Sequence, residues 1–126
     1  MDITTRHIHA RTDTDCIVIE LLDRRILEHA HLQALNHELL QIARRAPGRH
    51  VIIDFRRVEH FSSAMLSVLV AFLSRLQKIG RELRLAGIST ELRSIFRMTK
   101  LHHVFAMHED SDSARDSLPR PLADSA

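Results

Sequence analysis

The residues best placed to do chemistry are two adjacent serines, Ser62 and Ser63, in the segment EHFSSAMLSV, residues 59–68. A serine hydroxyl at the start of a helix can cap the helix, attack a substrate or carry a phosphate. A nucleophile of the hydrolase type lies in a G-x-S-x-G turn, and no glycine flanks this pair. The adjacent His60 does not supply a base, because neighbouring side chains in a turn usually point apart. We therefore predict that the protein is not an enzyme, which leaves capping and phosphorylation as roles for the serines.

Ten histidines raise the question of a metal site. Six of them form close pairs, namely His7 and His9, His29 and His31, and His102 and His103. A zinc site needs three or four converging ligands, often in spacings such as HExxH or CxxC. None of these pairs has a cysteine or a carboxylate at such an offset. The sequence therefore predicts scattered surface histidines, with no metal and no other cofactor.

The composition argues against several other classes of site. The three glycines, Gly48, Gly80 and Gly87, do not cluster into a phosphate-binding loop. The single cysteine, Cys16, lies in the apolar segment CIVIELL and is predicted to be a small buried side chain. A formal net charge of +2 and the absence of tryptophan and tyrosine do not favour nucleic-acid binding.

The apolar segments are too short for a membrane protein. None approaches the roughly 20 consecutive apolar residues of a membrane-spanning helix. The N-terminal segment MDITTRHIHARTDTD is polar and lacks the apolar core of a signal peptide. The sequence therefore predicts no membrane association and a cytoplasmic location.

Alternating strands and helices are expected to position the two serines. Residues 16–22 and 50–55 are continuous apolar runs typical of strands buried on both faces. Further strands are predicted at 3–9, 81–88 and 102–108, and helices at 32–46, 64–79, 89–100 and 110–118, with Ser89 as a helix cap. Short connections between these elements favour a mainly parallel sheet with helical crossovers. We predict one domain over residues 1–118 and a disordered tail over 119–126.

The predicted helix 64–79 is apolar around most of its circumference. Its Leu66, Leu69, Val70 and Leu73 are predicted to face the sheet, which leaves Met65, Val68 and Phe72 on another side. That second side would be a partner-binding patch if it were exposed. The alternative is that a neighbouring helix covers it, and the sequence leaves both possibilities open.

The order of motifs over residues 14–118 resembles the STAS domain family, the anti-sigma factor antagonists and their relatives. The matching features are an apolar strand ending in Asp54, a valine (Val58) shortly before the two-serine junction, the junction itself and a buried helix ending at Gly80. The segments LRLAGIS, IFRMTKL and FAMHEDSDSA follow in the same order. The resemblance implies an α/β fold of the STAS type. Such a fold has a four- to five-stranded mixed sheet and about four helices.

The resemblance also assigns a role to the serine junction. In the bacterial antagonists the junction reads Asp-Ser-Ser/Thr-Gly, and an anti-sigma kinase phosphorylates the first hydroxyl residue. The corresponding positions here are Phe61, Ser62, Ser63 and Ala64. The resemblance thus implies phosphorylation at Ser62, with Ser63 as the second candidate. Phe61 removes a carboxylate and Ala64 adds a methyl group relative to the family pattern.

The implied partner is an anti-sigma factor of the serine kinase type. Loops after parallel strands gather at one end of a sheet, so the docking surface is expected there. Its predicted residues are Phe61, Ala64, Met65, Val68, Gly87 and Ser89. Two alternatives remain, a STAS interaction module in a larger signalling or transport assembly that is never phosphorylated, and a domain that binds a nucleotide or another small ligand.

Overall fold

The computed structural model describes residues 2–119 of the chain. The strands are β1 (Asp2–Thr4), β2 (Ile8–Thr12), β3 (Cys16–Leu21), β4 (Arg25–Ile26), β5 (His50–Asp54), β6 (His60–Phe61), β7 (Leu83–Ala86) and β8 (Ala106–His108). The helices are α1 (His29–Arg45), α2 (Ala64–Lys78), α3 (Thr90–Met98) and α4 (Ser111–Asp116), with a 3-10 turn at Leu101–His103. Most of the predicted disordered tail lies outside the described residues.

Six strands form the main sheet in the order β1-β2-β3-β5-β7-β8. The β1, β2 and β3 strands are antiparallel neighbours, whereas β3, β5, β7 and β8 run parallel. A separate parallel pair is formed by β4 and β6. The predicted mixed α/β fold with about four helices is confirmed, and the main sheet has six strands where four or five were expected.

Two local turns explain the differences from the predicted strands. The predicted edge strand at 3–9 is divided, because the Ile8 N–H donates to the Thr5 hydroxyl at 3.1 Å and the Thr5 N–H donates to the Ile8 carbonyl at 2.8 Å. This turn creates the β1–β2 hairpin. The predicted strand at 102–108 starts later, at Ala106, because Lys100 adopts a left-handed conformation (φ 62°) and leads into the 3-10 turn.

The hydrophobic core lies mainly between one face of the sheet and the helices α1, α2 and α3. Strand residues alternate between the two faces, so Ile17 and Ile53 point into this core. On the other face, α4 places Ala114 against Cys16 and Ile52. The burial of Cys16 confirms its prediction as a small core side chain. No helix within residues 2–119 combines the length and apolar character needed to cross a bilayer.

A buried arginine fixes the C-terminal end of α1. The Arg81 side chain is 5% exposed, and its guanidinium donates to the carbonyls of Ala43 at 2.8 Å, Ala46 at 3.0 Å and Arg49. Burial lowers the pKa of Arg81 from its ordinary value. Carbonyl oxygens at the negative end of the α1 dipole stabilise its charge.

Candidate functional site

Backbone pairing fixes the position of the serine junction. The two-residue strand β6 pairs in parallel with β4, in the register Arg25 to His60 and Ile26 to Phe61. The Ser62 N–H then donates to the Ile26 carbonyl at 3.0 Å. The junction therefore lies beside the connection between β3 and α1, at the end of the sheet where the parallel strands finish.

The two serines differ in exposure, and neither side chain caps α2. Ser63 occupies the N-cap position with helical φ and ψ of −60° and −23°, and it makes no side-chain capping bond. Its side chain is exposed to solvent. Ser62 is half-buried, and within residues 2–119 its Oγ is buried without a hydrogen-bond partner. By contrast, Ser89 accepts from the Leu92 N–H at 3.2 Å, which confirms its prediction as the cap of α3.

The environment of the junction favours negative charge. The first turn of α2 contains no acidic residue, and its N-terminus is the positive end of the helix dipole. Arg25 is the register partner of His60 on the adjacent strand. Arg24 is also exposed nearby, with its Nε 3.7 Å from the Glu59 carboxylate. A helix start without carboxylates can accommodate a phosphate more readily than one lined by them.

Phe61 is a core residue and its side chain is 6% exposed. Its ring packs edge to face against Phe55, with centroids 6.2 Å apart, and against Phe96, with centroids 6.0 Å apart. Phe96 in turn packs against Phe105 at 5.8 Å. The residue at the acidic position of the family pattern thus anchors the start of α2 to α3, and its burial is at odds with direct contact to a partner.

The structure decides between the two possibilities that the sequence left open for the second side of α2, and it contradicts the prediction for Val70. Met65 is 0% exposed and Phe72 is 1% exposed, so they belong to the core and form no exposed patch with Val68. Val70, predicted to face the sheet, is 39% exposed. The core and the helix α1 cover α2 over a wider arc than the apolar pattern alone indicated. The burial of Met65 removes its side chain from the proposed docking surface.

The other predicted docking residues lie at the surface or close to it. Ala64 and Ser89 are exposed, and Val68 and Gly87 are half-buried. Gly87 has φ +69°, and a Cβ at this position would lie 2.9 Å from the Asp54 Oδ1. A glycine is therefore required there by local packing. The docking role of these four residues stays a prediction.

Sequence reasoning missed an ionic cluster on the face of the sheet that carries α4. Glu20 and Asp54 are register partners on β3 and β5, and they are 8% and 4% exposed. The Arg56 Nε lies 2.7 Å from the Glu20 Oε2 and 3.3 Å from the Asp54 Oδ2. Burial raises the pKa of Asp54, while the Arg56 N–H and guanidinium oppose that rise. The two carboxylates come together only because β3 pairs with β5, so no local sequence motif predicts the cluster.

Solved structures of low sequence identity share this fold. An anti-sigma-factor antagonist (STAS) domain protein from Planctomyces limnophilus is 20% identical, with a TM-score of 0.77 over 94% of this chain and 98% of its own. The Bacillus cell fate determinant SpoIIAA in its phosphorylated form is 16% identical, with a TM-score of 0.65 over 86% of this chain and 96% of its own. A sulfate transporter family protein from Wolinella succinogenes is 17% identical, with a TM-score of 0.62 over 77% of this chain and 79% of its own.

The family is established by a match over most of the sequence. A search of curated proteins finds no match to this chain. The family model of the STAS domain matches residues 7–114. The resemblance predicted from the order of motifs is confirmed, and the chain belongs to the STAS domain family.

Proposed function

We propose that the chain is an anti-sigma factor antagonist-like regulator that acts in the cytoplasm. It binds an anti-sigma factor of the serine kinase type, and phosphorylation of Ser62 or Ser63 controls that binding. The observation that carries the proposal is the pair of serines at the start of α2, at the end of a STAS sheet where the parallel strands finish. The antagonist SpoIIAA, which has this fold, is known in phosphorylated and unphosphorylated forms.

Ser62 is the proposed switch, and its environment supports that role. Within the described residues its hydroxyl has no hydrogen-bond partner, so rotating it toward solvent breaks no hydrogen bond. Ser63 is already exposed and is the alternative acceptor. A phosphate on either serine would lie near the positive end of the α2 dipole.

The exposed side of α2 is the proposed docking surface. Ala64 and Val70 are exposed on this helix. A shallow groove of about 480 Å³ along this helix is lined by Leu66, Ser67, Val70, Ala71, Ser74 and Leu101. A phosphate adds about −1.5 to −2 charges, which a partner covering this surface would have to desolvate. Phosphorylation is therefore expected to weaken docking.

A kinase assay tests the phosphorylation site. The purified chain is incubated with its cognate kinase and ATP, and the phosphorylated position is mapped by mass spectrometry. We expect phosphate on wild-type protein and on Ser113→Ala, an exposed α4 serine on the other face of the sheet used as a control, but not on a variant with both Ser62→Ala and Ser63→Ala. The single variants identify the acceptor. Wild-type protein that carries no phosphate at either serine would refute the switch.

A binding assay tests the consequence of the phosphate. Ser62→Asp is expected to weaken binding of the anti-sigma factor by about tenfold or more, equivalent to about 1.4 kcal/mol. Ser113→Asp, which adds the same charge at an exposed position of α4 on the other face of the sheet, is the control for a general charge effect. Equal binding by wild-type protein and Ser62→Asp would contradict the proposal.

A STAS interaction module that is never phosphorylated is the second candidate. The observation that favours it is the burial of Phe61, which replaces the acidic residue of the antagonist pattern with a core side chain. Such a module would form a stable complex with one partner, and binding would be the same with Ser62→Asp. A pull-down that recovers the same assembly component with wild-type protein and with Ser62→Asp would favour the module over the switch.

A further inference from the structure

Two histidines and an aspartate converge at a site away from the serines. The Asp23 Oδ2 lies 2.8 Å from the His7 Nδ1 and 3.0 Å from the His31 Nε2. One atom from each of the three side chains lies within 4.8 Å of the others. The two imidazole rings stack, with centroids 4.2 Å apart and an angle of 28° between the planes.

Three separate parts of the fold hold these side chains in place. His7 immediately precedes β2, and its carbonyl accepts from the Leu22 N–H at 2.9 Å. Asp23 follows β3 in the connection to β4, and His31 lies in the first turn of α1. Backbone structure therefore fixes all three positions. The histidine side chains are 14% and 16% exposed, and that of Asp23 is 32% exposed.

We propose that His7, Asp23 and His31 bind a divalent transition-metal ion, with Zn²⁺ as its representative. Two imidazoles and one carboxylate form a ligand set that suits Zn²⁺ and similar ions, and not the oxygen-preferring Mg²⁺ or Ca²⁺. Ligand atoms about 2.0–2.1 Å from a tetrahedral zinc ion lie about 3.3 Å apart. The nitrogen-to-oxygen distances of 2.8 and 3.0 Å need to widen only slightly to admit the ion.

The ion would keep an open coordination position. Among residues 2–119 the cluster supplies three ligands, and zinc in a four-coordinate site takes a fourth. The cluster lies on a cavity of about 710 Å³, to which Arg6, Arg25 and Glu28 also contribute. Water or a small anion can fill the fourth position from this cavity, and the two arginines favour the anion.

Metal binding would tie together the start of β2, the β3–β4 connection and the start of α1. The β3–β4 connection leads into β4, which pairs with the strand before Ser62. An ion at Asp23 would therefore stabilise the segment beside the junction. The proposal does not depend on the phosphorylation of Ser62, and it holds for either candidate function.

A zinc titration tests the site. Untagged protein, freed of metal with a chelator, is titrated with Zn²⁺ in a calorimeter, and its melting temperature is followed with and without Zn²⁺. We expect one tight ion per chain and a higher melting temperature. His31→Gln and Asp23→Asn are expected to weaken this binding by about tenfold or more, since each removes a ligand. His29→Gln and His37→Gln, at exposed positions on the same helix, are the matched controls and are expected to bind as wild type does.

The competing explanation is a pair of histidines that share the Asp23 carboxylate without any metal. It predicts weak Zn²⁺ binding that His31→Gln and His37→Gln reduce equally, as for scattered surface histidines, and that result would overturn the proposal. Circular dichroism of His31→Gln shows whether the variant is folded. If it is unfolded, anomalous scattering from Zn²⁺ in crystals of the wild-type protein decides, and an ion away from the three side chains would refute the site.

Discussion

Replacing Phe61 with alanine is the sharpest test of the packing described for the serine junction. The side chain is 6% exposed and contacts two other rings. Burying an aromatic side chain removes about 150–250 Å² from water, worth about 4–6 kcal/mol at about 25 cal/mol per Å². Alanine keeps the Cβ, and measured Phe→Ala changes in cores cost about 3–5 kcal/mol. We therefore expect Phe61→Ala to lower the free energy of unfolding by about 3–5 kcal/mol, a large share of the 5–15 kcal/mol typical of a domain.

Urea denaturation followed by far-ultraviolet circular dichroism measures this loss, because the chain has no tryptophan or tyrosine to report by fluorescence. Phe61→Leu keeps most of the volume and is expected to cost about 1–2 kcal/mol. A double-mutant cycle with Phe96→Ala should give a coupling of about 0.5–1.5 kcal/mol from the edge-to-face contact. Phe72 is also buried but is not one of the rings that contact Phe61, so a cycle of Phe61→Ala with Phe72→Ala should show no such coupling. A loss below about 1 kcal/mol for Phe61→Ala would show that the ring is not in the core.

Three further predictions concern other parts of the fold. Gly87→Ala is expected to lower the free energy of unfolding by about 1–3 kcal/mol, because φ is +69° and the new Cβ would lie 2.9 Å from the Asp54 Oδ1. The control Gly48→Ala is expected to lose less, because its Cβ would have free space and only the φ of +77° is unfavourable. Equal losses in urea denaturation would contradict this. Because the folded state raises the pKa of Asp54, this group favours folding most at low pH, and its contribution falls as pH rises from about 4 through the folded pKa. Relative to wild type, Asp54→Asn should therefore gain unfolding free energy over that range, and a pH-independent difference would refute the assignment. Arg81→Lys is expected to lose about 2–4 kcal/mol, because an ammonium group cannot reproduce the three carbonyl contacts, while Arg75→Lys on the exposed side of α2 should be nearly neutral.

The sequence predicted the elements with strong periodicity and missed those whose cause is not local. The strands at 16–22 and 50–55 and the helix 64–79 were recognised because long apolar runs determine them. The strands β4 and β6 have two residues each, so no periodicity can reveal them, and they exist because two crossovers lie side by side. The division of the first predicted strand depends on hydrogen bonds of Thr5, which composition does not specify.

The candidate site shows the same limit. The order of motifs identified Ser62 and Ser63, but the burial of Phe61 and Met65 depends on how α2 is surrounded in three dimensions. A helix that is apolar on most sides can be buried by neighbouring elements over a wide arc, and its sequence does not show which of its residues those elements leave exposed. His7, Asp23 and His31 are separated along the chain by intervals of 16 and 8 residues, which match no metal-binding spacing, so only the fold unites them.

The pairing of β4 with β6 makes one backbone amide a reporter of the whole junction. The Ser62 N–H is hydrogen-bonded to the Ile26 carbonyl, so it can exchange with solvent deuterium only when the two crossovers separate. A phosphate at the serines, a partner on α2 or an ion at Asp23 would each change how often that separation occurs. The exchange rate of this single amide therefore measures the free energy that holds the first crossover of the sheet against the second. The measurement on the isolated chain needs no cognate partner.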